Sequence, residues 1–135
     1  MSKFKFSKRS KQRLIGVDSS LITLFENVLS VSPIDGGIPE DGGLRTATRQ
    51  MQLFENGVSR CDGIKNLSAH QKGKAIDIYA YVNGQASWCS HHLNLIAGVV
   101  YSEAAKMGLK IRWGGTFGDN GSDFNGWDKG HFEII

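Results

Sequence analysis

The sequence predicts an α+β domain in which a small, mostly antiparallel sheet packs with about three helices. Residues 21–31 and 93–107 place apolar side chains at helical spacing, residues 75–82 and 131–135 alternate as strands do, and glycine-rich segments separate these stretches. With 135 residues, 40% of them apolar and 10% aromatic, the chain fills one compact domain spanning 1–135 and is too short for two.

The chain starts with a basic segment, 1–13, holding Lys3, Lys5, Lys8, Arg9, Lys11 and Arg13, while every acid lies beyond it. The net charge is +3, yet after this segment ten basic residues face thirteen acids, leaving −3. Two readings stand: a tail that holds an anionic polymer such as a cell wall, lipopolysaccharide or nucleic acid through screened attraction, or simply a solvated, partly ordered terminus. Nucleic acid is disfavoured, because no helix-turn-helix, zinc knuckle or aromatic-plus-basic strand accompanies the charge.

Asp18, Ser19 and Ser20 offer N-cap oxygens to a helix in which Leu21, Leu24, Phe25, Val28 and Leu29 share a face up to about Val31. Residues 32–43 contain both prolines and four glycines and read as turn and loop, with a short strand near Ile38. A second helix is expected from about Thr46, carrying Gln50, Leu53 and Phe54 until Gly57 stops it. Residues 58–67 read as a polar loop. In the following strand, Ala75 to Val82, Ile76, Ile78, Ala80 and Val82 take one face while Asp77, Tyr79 and Tyr81 take the other. Asn83-Gly84 is a turn signal, Leu93 to Met107 a long helix capped by Gly108, and Leu109 to Trp113 a strand. The loop from Gly114 to Gly126 leads to a last strand, His131 to Ile135, on which His131 and Glu133 share a face.

No run approaches the roughly 18 apolar residues of a membrane helix, and no signal-peptide block follows the basic start, so the chain is expected to fold in the cytoplasm. Cys61 and Cys89 lack the close spacing of a redox or metal pair and are expected to be free, buried thiols.

His70, Asp77 and His131 carry the chemistry. Zinc takes about four ligands, and a catalytic site leaves one position to water; two imidazoles and one carboxylate fit that count. Alternation turns Asp77 away from the aliphatic core, and pairing of the last strand with 75–82 would bring His131 beside it. Small residues at Gly73 and Ala75 let the loop bearing His70 fold close over the same strand. Asp128, three residues before His131, is the candidate base for a water proton, its other reading being a turn residue between glycines. His91 and His92 are rival ligands, but adjacent residues on a helix do not share a face, which leaves them as a polar entry turn.

These motifs, Gly43-Leu44-Arg45-Thr46 with Gln50, Ser68-x-His70-x-x-Gly73-x-Ala75-x-Asp77, Trp113-Gly114-Gly115 and Asp128-x-x-His131-x-Glu133, resemble those of small phage L-alanyl-D-glutamate endopeptidases. These are endolysins within the zinc D-alanyl-D-alanine peptidase, VanY-like superfamily. The resemblance implies a hedgehog/DD-peptidase-like fold, one zinc ion on His70, Asp77 and His131, and Asp128 as the catalytic carboxylate. It also implies substrate contacts from Arg45 and Ser68, and an orienting role for Glu133. The implied enzyme is a monomer acting on bacterial peptidoglycan during phage-induced lysis, without stable membrane insertion and dependent on a holin-type permeabiliser. The chain departs from the family pattern at Ala69, where a basic residue is usual, and in the glycine-rich segment before Arg45. The rival functions are a D-alanyl-D-alanine carboxypeptidase or dipeptidase with the same metal and base, and a non-catalytic wall-binding module.

Overall fold

The structure, a computed structural model, describes residues 4–57 and 68–135. The expected loop at 58–67 and Cys61 lie outside the described residues. Among the described residues the order is α1 (Lys8–Arg13), α2 (Ser19–Val31), β1 (Asp35–Gly37), α3 (Ala47–Glu55), β2 (Ala75–Asp77), β3 (Tyr79–Val82), β4 (Gln85–Ser87), α4 (Ser90–Met107), β5 (Ile111–Gly114) and β6 (Asp128–Ile134), with a 3-10 turn at Gly121–Asp123. The α+β class is as expected; among the described residues there are four helices, where about three were expected, and the strands make two antiparallel sheets, β1-β3-β4 and β2-β6-β5.

The division arises at Ile78, where the expected strand 75–82 breaks. Residues 75–77 pair with β6, whereas 79–82 pair with β1 and β4. One extended run thus serves both sheets, and its alternation survives the break: Ile76, Ile78 and Ala80 are fully buried. The Ile78 N–H still donates to the Gly130 carbonyl at 2.8 Å, which keeps the crossing point against β6.

Behind the sheets, α2 and α4 seal the core. Asp18 caps α2 by accepting from the Ser20 N–H at 2.9 Å, and the helix buries Leu21, Leu24, Phe25, Val28 and Leu29 as its spacing requires. From α4 come Leu93, Ile96, Ala97, Val100 and Ala104, and Gly108 ends it in the left-handed region at φ 69°. Phe25 meets Phe132 of β6 edge to face, 5.5 Å between centroids, so helix layer and site-bearing strand share one core.

Two expectations are corrected. The basic N-terminal segment is no loose tail: from residue 4 it packs, with Phe6 and Leu14 in the core and Ser10 Oγ accepting from the Ile38 N–H at 3.1 Å. Its apolar residues were hidden by the lysines between them. Cys89 is a free thiol as expected but is exposed, because it sits at the N-cap of α4, where the helix leaves the surface.

Candidate metal centre and active site

Register brings the candidate ligands together. Asp77 on β2 lies directly opposite His131 on β6, so a carboxylate and an imidazole meet across one antiparallel pair. His70 arrives from a closed turn: Gly73 N–H donates to the His70 carbonyl and Lys74 N–H to the Ala69 carbonyl, with Gly73 at φ 68°. A side chain at Gly73 would be strained there and would press on the Gly16 carbonyl, which explains why glycine ends the turn.

Three atoms converge: His70 Nε2, His131 Nδ1 and Asp77 Oδ1. Asp77 Oδ1 is 3.2 Å from His70 Nε2 and 3.0 Å from His131 Nδ1, and the two nitrogens are 3.3 Å apart. The outer nitrogens are fixed by acceptors. His70 Nδ1 donates to the Gly43 carbonyl at 3.0 Å, and His131 Nε2 donates to Glu133 Oε1 at 2.7 Å. Neither acceptor can donate, so each ring turns an unprotonated or labile nitrogen inward.

This set can hold a metal ion. Donors bound tetrahedrally at about 2.0–2.2 Å lie roughly 3.3–3.6 Å from one another, so slight outward movement accommodates an ion. The electrostatics agree. Burial pushes Asp77 toward its neutral form, but its contacts with the His131 and His70 rings outweigh this and hold the carboxyl below the usual range. Burial also disfavours charge on His131, yet hydrogen bonds to Asp77 and Glu133 push it up to about 9. The His131 proton therefore joins donors that otherwise repel, and a cation can take its place.

Arg45 surrounds the carboxylate from behind. Its guanidinium donates to Asp77 Oδ2 at 3.1 Å, to Gln50 Oε1 at 3.1 Å and to the Asp41 carbonyl at 2.9 Å. Asp128 stands at the other edge, with Oδ2 4.0 Å from His131 Nδ1 and its side chain 40% exposed. Burial and the neighbouring Asp77 charge raise its pKa above the usual carboxylate value.

Asp128 and His131 are three residues apart, a spacing that turns side chains to opposite faces of a regular strand. A register shift resolves this: Trp113 pairs with Phe132 but Gly114 pairs with Asp128, so β6 bulges between them. The bulge is held by Trp113 Nε1 donating to the Lys129 carbonyl at 2.7 Å.

The structure thus gathers His70, Asp77, His131, Asp128 and Arg45. Ser68 serves the turn, its Oγ accepting from the Gln71 N–H at 3.3 Å. His91 and His92 sit in the first turn of α4, where His92 Nδ1 pairs with Ser87 Oγ at 2.7 Å, outside the metal set. Sequence reasoning missed the Gly43 carbonyl and the part played by Gln50, which is fully buried. Gly43 carried a signal in retrospect, since a Cβ there would collide with the Arg13 carbonyl.

Comparison with known proteins agrees with this geometry. The family model for phage L-alanyl-D-glutamate peptidase matches residues 1–135. The L-alanyl-D-glutamate peptidase of Escherichia phage T5 is 30% identical over 139 residues, 98% of each chain. Among solved structures, the Serratia marcescens L-Ala D-Glu endopeptidase ChiX superposes with a TM-score of 0.81 at 28% identity, covering 98% of this chain and 90% of that one. The match along the whole chain places this protein in the phage L-alanyl-D-glutamate peptidase family.

Proposed function

We propose that the protein is a zinc-dependent endolysin that hydrolyses the L-alanyl-D-glutamate bond of the peptidoglycan stem peptide during phage-induced lysis. The observation that carries this reading is the convergence of His70 Nε2, His131 Nδ1 and Asp77 Oδ1 beside Asp128. Those three atoms would hold one zinc ion, which when bound polarises a carbonyl and acidifies water.

The chain's own residues supply the rest. Asp128 takes a proton from the attacking water as its oxygen bonds the alanyl carbonyl carbon, and returns a proton to the glutamate nitrogen as the C–N bond breaks. Arg45 pairs with Asp77 Oδ2 and adds fixed positive charge where the carbonyl oxygen becomes negative. Glu133 and Gly43 lock the imidazoles. Ser68 shapes the turn that presents His70.

On this reading the enzyme is a monomer that stays in the host cytoplasm until a holin-type permeabiliser opens the way to the wall. Among the described residues no helix is long and apolar enough to cross a membrane. The test is digestion of purified peptidoglycan by native, chelated and zinc-restored protein, with products identified by mass spectrometry. New C-terminal L-alanine and N-terminal D-glutamate, lost on chelation and regained with zinc, are expected; release of D-alanine would count against the bond assigned.

A further inference from the structure

A cleft of about 290 Å3 opens beside Asp128, lined by Trp88, Trp127, Ser90, Asn125, Lys129 and Asp128 itself among others. Its size is near the lower end of ligand clefts, roughly 300 Å3 upward, and suits one ring-sized group. Trp88 is 55% and Trp127 59% exposed, although an indole is costly to leave in water. Neither is loose. The Trp88 ring lies over Gly130, where a Cβ would come within 2.8 Å of it, and packs against Tyr79 at 5.9 Å between centroids. Trp127 leans on Phe117 at 5.3 Å, and Phe117 in turn on the His131 ring at 5.7 Å. Two large apolar faces are therefore held in place next to the reacting centre, with polar groups around them; Lys129 Nζ, for example, donates to Asn125 Oδ1 at 3.1 Å.

Resting on the peptidase reading above, we propose that this cleft is a sugar subsite, seating the N-acetylated aminosugar ring to which the stem peptide is attached. A pyranose offers an apolar C–H face and a rim of hydroxyl and amide groups, which matches indole faces bordered by polar side chains. The residues flanking the scissile bond do not: an alanine methyl and a glutamate chain present little apolar surface to two indoles. Position agrees as well. L-Alanine is joined directly to the lactyl group of muramic acid, so with its carbonyl beside Asp128 the sugar lies within one residue's reach, and Asp128 belongs to both the centre and the cleft.

The prediction is a preference for sugar-bearing substrate that depends on the indoles. Zinc-loaded wild type, Trp88→Ala, Trp88→Phe and Trp127→Ala are compared on a disaccharide-linked stem peptide and on the same peptide freed of sugar. Wild type is expected to favour the disaccharide form by about tenfold in kcat/KM, mainly through KM. The ratio should fall toward one in both alanine variants and be largely kept by Trp88→Phe, with melting temperatures showing all to be folded. No preference in wild type, or equal losses on both substrates that leave the ratio intact, would overturn the subsite. Wild type that cuts neither substrate would instead overturn the peptidase reading and the subsite with it.

Discussion

His131 is the residue on which pH acts most directly. Burial lowers its proton affinity, but Asp77 and Glu133 more than compensate, so its folded pKa of about 9 exceeds the ordinary 6.5. In metal-free protein the resulting stability is fully present below about pH 6.5 and is lost as pH rises through about 9. Thermal melts of chelated protein should therefore drop across that window. Metal loading runs the other way, because zinc must displace the same proton; competition with a chromophoric chelator should show apparent affinity climbing until about pH 9 and levelling above it. Asp128 is separable from the ligands, so Asp128→Asn should keep its zinc, read by emission spectroscopy, and lose turnover by ~100-fold or more. That His70, Asp77 and His131 come together, with Asp128 beside them, was legible in the sequence because residue type and strand alternation point to it. The Gly43 carbonyl was not, since a backbone oxygen has no signature in residue type, and although Gln50 belongs to the motif, its burial and its bond to Arg45 depend on how α3 packs.

At the level of the element, β6 carries more than its alternation announces. A regular strand would send Asp128 and His131 to opposite faces, and only the bulge opposite Trp113 and Gly114 turns both toward one point. Sequence showed that the two belong together but not how, because a bulge is fixed by contacts from β5 and from Ile78 rather than by composition. The same is true of the break at Ile78, which no proline or glycine marks and which hydrogen bonding to two different sheets imposes. Trp113 is the positioning residue this arrangement identifies. Trp113→Phe removes the donor to the Lys129 carbonyl, at a cost of about 1 kcal/mol in stability. If the bulge aims Asp128, kcat should fall at least ~10-fold, since small displacements of a reacting group are expensive. Zinc content and KM should stay near wild type; a variant that loses zinc in step with turnover would show that Trp113 merely supports the fold.

Over the whole molecule, charge and packing occupy the same N-terminal segment. Composition drew attention to its lysines and arginines and so suggested a tail, but Phe6 and Leu14 enter the core, and Arg13 donates to the Ile38 carbonyl at 2.8 Å. Gly43, whose carbonyl orients His70, lies against the Arg13 carbonyl, so α1 buttresses the loop behind the candidate metal site. Lys8, Arg9 and Lys11 nonetheless face solvent on α1 and remain available to an anionic wall. The two roles separate by experiment. Deleting residues 1–13 removes Phe6 from the core and should cost about 3–5 kcal/mol, seen as a large fall in melting temperature together with weaker zinc retention. Replacing only Lys8, Arg9 and Lys11 by glutamine should change stability by no more than about 0.5 kcal/mol. The same triple variant should bind purified walls more weakly at low salt, with the difference vanishing as salt approaches about 1 M and screening shortens to about 3 Å. Equal binding by the triple variant and wild type at low salt would leave α1 with a packing role alone.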